Sequence, residues 1–290
     1  MKVIRDNIRD FNLQHIFECG QCFRWNREAD GSYTGVALGK AVNLAFYEDG
    51  PGSCCGRLVL DNATEEEFEA LWRPYLDLER DYGGIKALLA ADPVMAEAIS
   101  HGPGIRILRQ DKWETLVSFI LSQNSNIPRI KKSVELLCSR FGPQVGEYAG
   151  QPRFGMPGPE TLAALTAEAL ADCRLGYRTG YLLETARAVA ADGGARLAAT
   201  AHMPSEEAYA YLLGLPGVGP KVANCVLLFS MEGRDRFPID VWVRRAMHRL
   251  YGIAEKDTEK MAAFARETFG EHGGLAQQYL FYYIKEKREA

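Results

Sequence analysis

Leu215-Pro216-Gly217-Val218-Gly219-Pro220-Lys221 stands between a helical run from Glu206 to Leu213 and an apolar helix predicted over Val222 to Phe229. Helix, glycine hairpin, helix is the pattern that decides how the second half of the chain is read. Without a Cβ, Gly217 and Gly219 permit a tight turn whose backbone N–H groups point outward at the start of the second helix. That is an anion site suited to a phosphate of a nucleic-acid backbone. A glycine-rich connector between packed helices has the same look, so the neighbours must discriminate.

Lys221 falls in the first turn of the second helix, where the positive end of the helix dipole disfavours an ammonium ion and favours a neutral, nucleophilic amine. Downstream, Phe237-Pro238-Ile239-Asp240-Val241-Trp242 puts an aspartate where the next helix begins, after a proline that stiffens the entry. Asp240 reads equally as an N-cap and as a reactive carboxylate. A helix of roughly ten residues followed by a returning loop brings positions 221 and 240 together, so amine and carboxylate can act as a pair.

Working outward, the first sixty residues read as strands and turns. Val42, Leu44 and Phe46 alternate with other residues, Arg57 to Leu60 repeats the pattern, and Gly31, Gly39 and Gly50 punctuate the runs. Thr64 and Glu67 make a capping box, and Phe68, Leu71, Trp72 and Tyr75 recur at helical spacing, so a helix packs against that sheet. From about residue 85 the pattern is helical almost throughout, with Trp113, Leu116, Val117, Ile120 and Leu121 on one helix face. Breaks are expected at 102–104, 142–143, 154–159, 193–194 and 214–219. The predicted class is α+β: an antiparallel sheet domain with its packed helix over 1–85, then a helical domain over 86–290. Within the second lie a helix-hairpin-helix at about 205–231 and an aspartate-capped helix from 240.

Composition restricts the partners. With 47% hydrophobic and 25% charged residues, the 290-residue chain is ordinary globular protein. No basic segment leads into an apolar run and no stretch approaches eighteen apolar residues, so a cytoplasmic protein without a membrane span is expected. A net charge of −4 means that any nucleic-acid contact must come from a local basic patch. One candidate is Arg244, Arg245, His248 and Arg249, although a solvated helix face explains them as well. Seven cysteines, at 19, 22, 54, 55, 138, 173 and 225, are odd in number and scattered, which argues against a disulfide framework. Cys19 and Cys22 form a lone CxxC that Cys54 and Cys55 are poorly spaced to complete, so buried thiols are expected and no metal.

The hairpin, the following lysine and the Pro-x-Asp helix start together resemble the helix-hairpin-helix DNA glycosylases, and within them the 8-oxoguanine DNA glycosylase family. Motifs agree in order from residue 20 to residue 281, nearly the full length. Gly20-Gln21-Cys22-Phe23-Arg24-Trp25 resembles the family's GQxFRW. The resemblance implies that the Gly20 carbonyl accepts a hydrogen bond from N7–H of oxidised guanine. Normal guanine carries an acceptor there, and the contact is worth about 1–3 kcal/mol of selectivity. Ser122 to Arg129 resembles SSNNNIAR, implying that Asn124 fills the space left by the extruded nucleotide, that Asn126 belongs to the DNA-binding segment, and that Arg129 reads the cytosine opposite. Leu175-Gly176-Tyr177-Arg178 resembles LGYR, implying a Tyr177 wedge at a kinked duplex and a second cytosine reader in Arg178. As isolated residues each of these reads as a cap, a core residue or a solvated charge.

Gln277 and Phe281 lie four apart on one helix face. The resemblance makes Gln277 a reader of the base edge and Phe281 a stacking partner, with Cys225 on the other side of the base; read alone, Phe281 is core and Gln277 surface. Two departures stand out. Trp242 occupies the place of a family histidine near the 5′ phosphate, so that contact is remodelled or replaced by packing. Pro220 replaces a small polar residue at the helix start, where a proline loses no needed donor. There is no C-terminal cysteine quartet, so no iron-sulfur cluster is expected, and no cofactor.

The resemblance predicts a monomeric base-excision-repair enzyme, nucleoid-associated if bacterial, acting on double-stranded DNA containing oxidised guanine. Lys221 attacks C1′ as the base leaves, Asp240 stabilises the developing positive charge, and the Schiff base breaks down by β-elimination. Three other readings stand beside it. A glycosylase for another damaged base is opposed by Gly20, Gln277 and Phe281. A non-catalytic DNA-binding module would need neither Lys221 nor Asp240. A helix-turn-helix regulator would need an oligomerisation or ligand segment that is not evident.

Overall fold

The computed structural model describes residues 1–289. Among them, alternation at the N-terminus becomes five strands: β1 (Lys2–Ile8), β2 (Trp25–Arg27), β3 (Tyr33–Ala37), β4 (Lys40–Glu48) and β5 (Gly56–Asp61). They form one antiparallel sheet in the order β1-β5-β4-β3-β2. Leu38 and Gly39 both take positive φ between paired Ala37 and Lys40, the two-residue turn that matches strand twist. Val42, Leu44, Leu58 and Leu60 point inward from the central strands and are completely buried.

Against this face packs helix α1 (65–75), opened by the capping box in which Thr64 Oγ1 accepts from Glu67 N and Glu67 Oε2 accepts from Thr64 N, each at 3.1 Å. Its middle turn, Phe68–Trp72, widens to a π-helix and keeps Phe68, Trp72 and Tyr75 buried. Sheet, α1, the short helix Leu13–Phe17 and Leu108 make one hydrophobic cluster.

A second cluster is built by α2 (Tyr82–Leu89), α3 (Pro93–His101), α4 (Lys112–Ser122), α5 (Ile127–Phe141), α6 (Arg178–Ala190), α7 (Ser205–Leu213), α8 (Pro220–Ser230), α9 (Val241–Tyr251), α10 (Thr258–Phe269) and α11 (Gly273–Glu289). The expected one-sided apolar stripe of α4 is too narrow a description. Thr115, Ser118 and Phe119 are buried as well, because α4 is the central helix, packed by α5, α6 and α8. The expectation of a nearly all-helical second part is also too strong. β6 (Gln144–Tyr148) and β7 (Gln151–Phe154) form a hairpin around Ala149-Gly150, both at positive φ. The strands are short and half exposed, so no apolar alternation announces them.

The segment from Cys19 to Trp25 stitches the two clusters together. Cys19 and Phe23 enter the helical one, Cys22 and Trp25 the other. Gln21, fully buried, donates Nε2 to Ile16 O (2.9 Å) and Arg106 O (2.7 Å), and its Oε1 accepts from Leu108 N (2.9 Å). Trp25 stacks on Phe17 at 4.2 Å and donates Nε1 to Tyr75 Oη at 2.9 Å. Gly20 is thereby held at the seam.

Candidate active site

The hairpin between α7 and α8 depends on one glycine and leaves the other free. Gly217 has φ +72°, and a Cβ there would sit 2.5 Å from Tyr181 Cβ, so conformation and packing both demand glycine. Gly219 caps α8 at φ −98°, and a Cβ there would meet nothing within 4 Å. The expectation that both glycines serve the turn is corrected: Gly219 meets no conformational or packing demand within the protein. Its bare backbone instead lies at the N-terminus of α8, next to Pro220 at N1 and Lys221 at N2.

Lys221 is half-buried at the edge of a cavity that it shares with Asp240. Its Nζ is 3.5 Å from Ser122 Oγ and 4.7 Å from the centre of the Phe119 ring. Ser122 Oγ donates to Phe119 O at 2.8 Å, so a lone pair is what it offers the lysine. Asp240 and Lys221 form no direct ion pair. Asp240 Oδ1 accepts from Trp242 N (2.9 Å) and Val243 N (2.8 Å), capping α9. The capping and carboxylate readings thus coexist: one oxygen is spent on the helix, and the side chain still lines the cavity.

Cys225, one turn after Lys221, is buried in the same cavity. Burial pushes its thiol up to about 11, with Lys221 pulling the other way and Asp240 reinforcing the rise. It therefore presents a neutral, polarisable sulfur. The same cavity is lined by Gly20, Gln277, Gln278 and Phe281 and completed by Cys19, Phe119, Phe229 and Pro238. Gly20 is at φ +81°, and a Cβ there would lie 3.1 Å from Phe281 Cε1. Gln277 is only 4% exposed, so the surface reading of that residue is set aside.

A larger groove opens from this cavity and runs past Ser122 to Lys131, Trp242, Arg244 and Lys285. Asn124 projects into it from a left-handed backbone, φ +47°. Asn126 also lines the groove, but its Oδ1 caps α5 by accepting from Arg129 N at 3.0 Å. Arg129 is exposed and shares a third cavity with Asn124, Lys132, Arg174 and Arg178. Arg178 donates Nε to Gln123 O (2.7 Å) and Nη2 to Asn124 O (2.9 Å), tying the turn in place. Tyr177 is 56% exposed, with Oη 3.2 Å from Gln123 O and its ring 4.6 Å from the Arg178 guanidinium carbon. On α9, Trp242 faces the groove and Arg245 stacks on its ring at 5.1 Å.

Residues 3–116 match the family described as 8-oxoguanine DNA glycosylase, N-terminal domain, and residues 117–271 match the HhH-GPD superfamily of base excision DNA repair proteins. The chain belongs to the 8-oxoguanine DNA glycosylase family. It is 39% identical over 272 residues to an N-glycosylase/DNA lyase of Saccharomyces cerevisiae, spanning 86% of this chain and 70% of that one. Identity to the N-glycosylase/DNA lyase OGG1 of Arabidopsis thaliana is 31% over 284 residues, spanning 94% and 77%. Among solved structures, the 8-oxoguanine glycosylase/lyase of Clostridium acetobutylicum, in complex with double-stranded DNA containing cytosine opposite 8-oxoguanine, superposes with TM-score 0.91 at 38% identity. That match covers 99% of this chain and 98% of the other.

Five further residues line the site of this 8-oxoguanine DNA glycosylase without having been expected there. Phe119 and Ser122, which hold Lys221, stay hidden because the α4 sequence displays one apolar face only. Lys285 lies four residues past Phe281 and eight past Gln277, so helical periodicity already places it at the groove. It reaches Glu18 O at 3.5 Å. Cys19 reads only as half of a CxxC. Gln278 gives no signal in sequence beyond its neighbour.

Proposed function

We infer that this chain is an N-glycosylase/DNA lyase that removes 8-oxoguanine from double-stranded DNA, opposite cytosine, through a covalent Lys221 intermediate. The observation that carries the chemistry is the shared cavity, lined by Lys221 and Asp240 together with Gly20, Gln277, Phe281 and Cys225.

In this reading the damaged base swings out of the stack into the cavity, between Phe281 and Cys225. The Gly20 carbonyl accepts from N7–H, a hydrogen that undamaged guanine lacks, and Gln277 bonds the Watson–Crick edge. Lys221 Nζ attacks C1′ as the N-glycosidic electrons leave with the base. The Asp240 oxygen not used for capping stabilises the positive sugar and takes part in the proton transfers that follow. Loss of the ring oxygen bond gives an iminium between Lys221 and C1′. The iminium acidifies the C2′ hydrogen, and β-elimination expels the 3′ phosphate.

On the duplex, the α8 N-terminus with Gly217 and Gly219 binds a phosphate, and Trp242 with Arg245 meets the backbone from α9. Asn124, carried on the turn that Asn126 caps and Arg178 ties, fills the vacated position, with Tyr177 wedging the kink. Arg129 and Arg178 read the opposite cytosine.

The test is strand cleavage on duplexes with one 8-oxoguanine opposite each of the four bases, with undamaged guanine as control. Excision opposite cytosine is expected to lead, and Arg129→Ala and Arg178→Ala to flatten the preference. Equal excision opposite all four bases by the native protein contradicts the role given to the two arginines, and cleavage of the undamaged duplex at the same rate contradicts the substrate.

A further inference from the structure

Gln277 does not meet the cavity alone. Gln278, the next residue of α11, is 3% exposed, lines the same cavity, and donates Nε2 to Gln277 Oε1 at 2.8 Å. Its own Oε1 is buried without a hydrogen-bond partner among the described residues. A buried carbonyl left unpaired is costly, and methionine, nearly the same length, avoids that cost. A glutamine serving only as filler is therefore a poor choice at this position.

A side-chain amide has a donor end and an acceptor end. Gln278 takes one lone pair of Gln277 Oε1 and holds that end of the amide toward itself, which turns the NH₂ group toward an occupant of the cavity. We propose that Gln278 is a positioning residue: it fixes the amide of Gln277 so that the pocket reads a carbonyl, not an amine, at purine position 6. The inference rests on the reading that the cavity receives the flipped base. 8-Oxoguanine brings O6, an acceptor, to that donor. 8-Oxoadenine shares the oxidised N7–H side but brings an amine, so donor would face donor and neither would be satisfied.

The experiment measures single-turnover excision of 8-oxoguanine and of 8-oxoadenine at one position in one duplex. Native protein, Gln278→Met and Gln278→Glu are compared. Each rate is divided by the same protein's rate of strand cleavage at a preformed abasic site. That substrate has no base, so general damage to the Lys221 and Asp240 centre cancels. The native protein should prefer 8-oxoguanine by about a hundredfold or more. In Gln278→Met the Gln277 amide turns freely, and the preference should fall about tenfold, with 8-oxoadenine excision rising. Gln278→Glu, when ionised, only accepts; it draws the Gln277 NH₂ toward itself and turns the carbonyl to the base, so the preference should fall at least as far. Preservation of the native ratio in both variants overturns the proposal, as does an equal loss on both bases, which is what a packing role alone would give. Native protein that cleaves abasic DNA but excises neither base would overturn the base-pocket reading, and the role of Gln278 with it.

Discussion

Asp240 Oδ1 accepts two backbone N–H groups at the start of α9, so structural and chemical duties can be separated by substitution. Asp240→Asn keeps an oxygen for the cap and removes the charge; excision is expected to fall about 10²–10³-fold with stability changed by less than about 0.5 kcal/mol. Asp240→Ala should lose the cap as well, at about 1 kcal/mol. Thermal unfolding alongside single-turnover rates checks both. At Gly20 the positive φ and the 3.1 Å approach to Phe281 converge. Gly20→Ala should cost about 1–2 kcal/mol for the left-handed backbone and displace Phe281, lowering excision of 8-oxoguanine by about tenfold or more.

At the scale of elements, the two hairpin glycines make opposite predictions. Gly217→Ala puts a methyl 2.5 Å from Tyr181 Cβ at φ +72°, so it should destabilise the protein by about 2 kcal/mol or more. Gly219→Ala meets nothing within 4 Å and should leave unfolding unchanged within about 0.5 kcal/mol. If the hairpin seats a phosphate, the added methyl should still weaken duplex binding by about tenfold, read by titration at fixed salt. Equal affinity for duplex in the native protein and Gly219→Ala would place the phosphate elsewhere. Elements with strong local chemistry are legible: the Thr64 and Glu67 box, the proline start of α8 and the Asp240 cap are written in a few adjacent residues. The β6–β7 hairpin is not, because its half-exposed strands carry no apolar alternation. Asn126 reads as a DNA-binding residue, yet its side chain caps α5 while lining the groove, a double use that sequence alone does not separate.

Across the whole molecule, the seam between sheet and helices carries a buried charge group. Arg24 bridges toward Glu114 on α4 at 3.8 Å and Glu135 on α5 at 3.6 Å, and donates Nη2 to Phe154 O of β7 at 2.6 Å. Burial pushes Glu114 up to about 7, with Arg24 opposing and Asp111 and Glu135 adding to the rise. The folded state then holds a proton that the unfolded chain has released between about pH 4.5 and 7. This group's contribution to stability is fully present at the acid end of that window and is lost as pH rises through 7. Urea midpoints should show that decline in the native protein and a flatter profile in Glu114→Gln; identical slopes would mean that Glu114 is not the group responsible. Such long-range groupings are the least legible part of the sequence. Gly20, Lys221, Asp240 and Gln277 come from separate stretches, and short of the fold only the family resemblance joins them. Gln278, Phe119 and Ser122 become visible only in the packed cavity.

In the proposed reaction the amine of Lys221 becomes bonded to the sugar of the damaged nucleotide. Borohydride reduction during turnover on an 8-oxoguanine duplex, followed by peptide mapping, measures that bond directly. A stable protein–DNA adduct on Lys221 is expected, absent in Lys221→Gln. An adduct on another residue, or strand cleavage by native protein with no adduct at all, would contradict it.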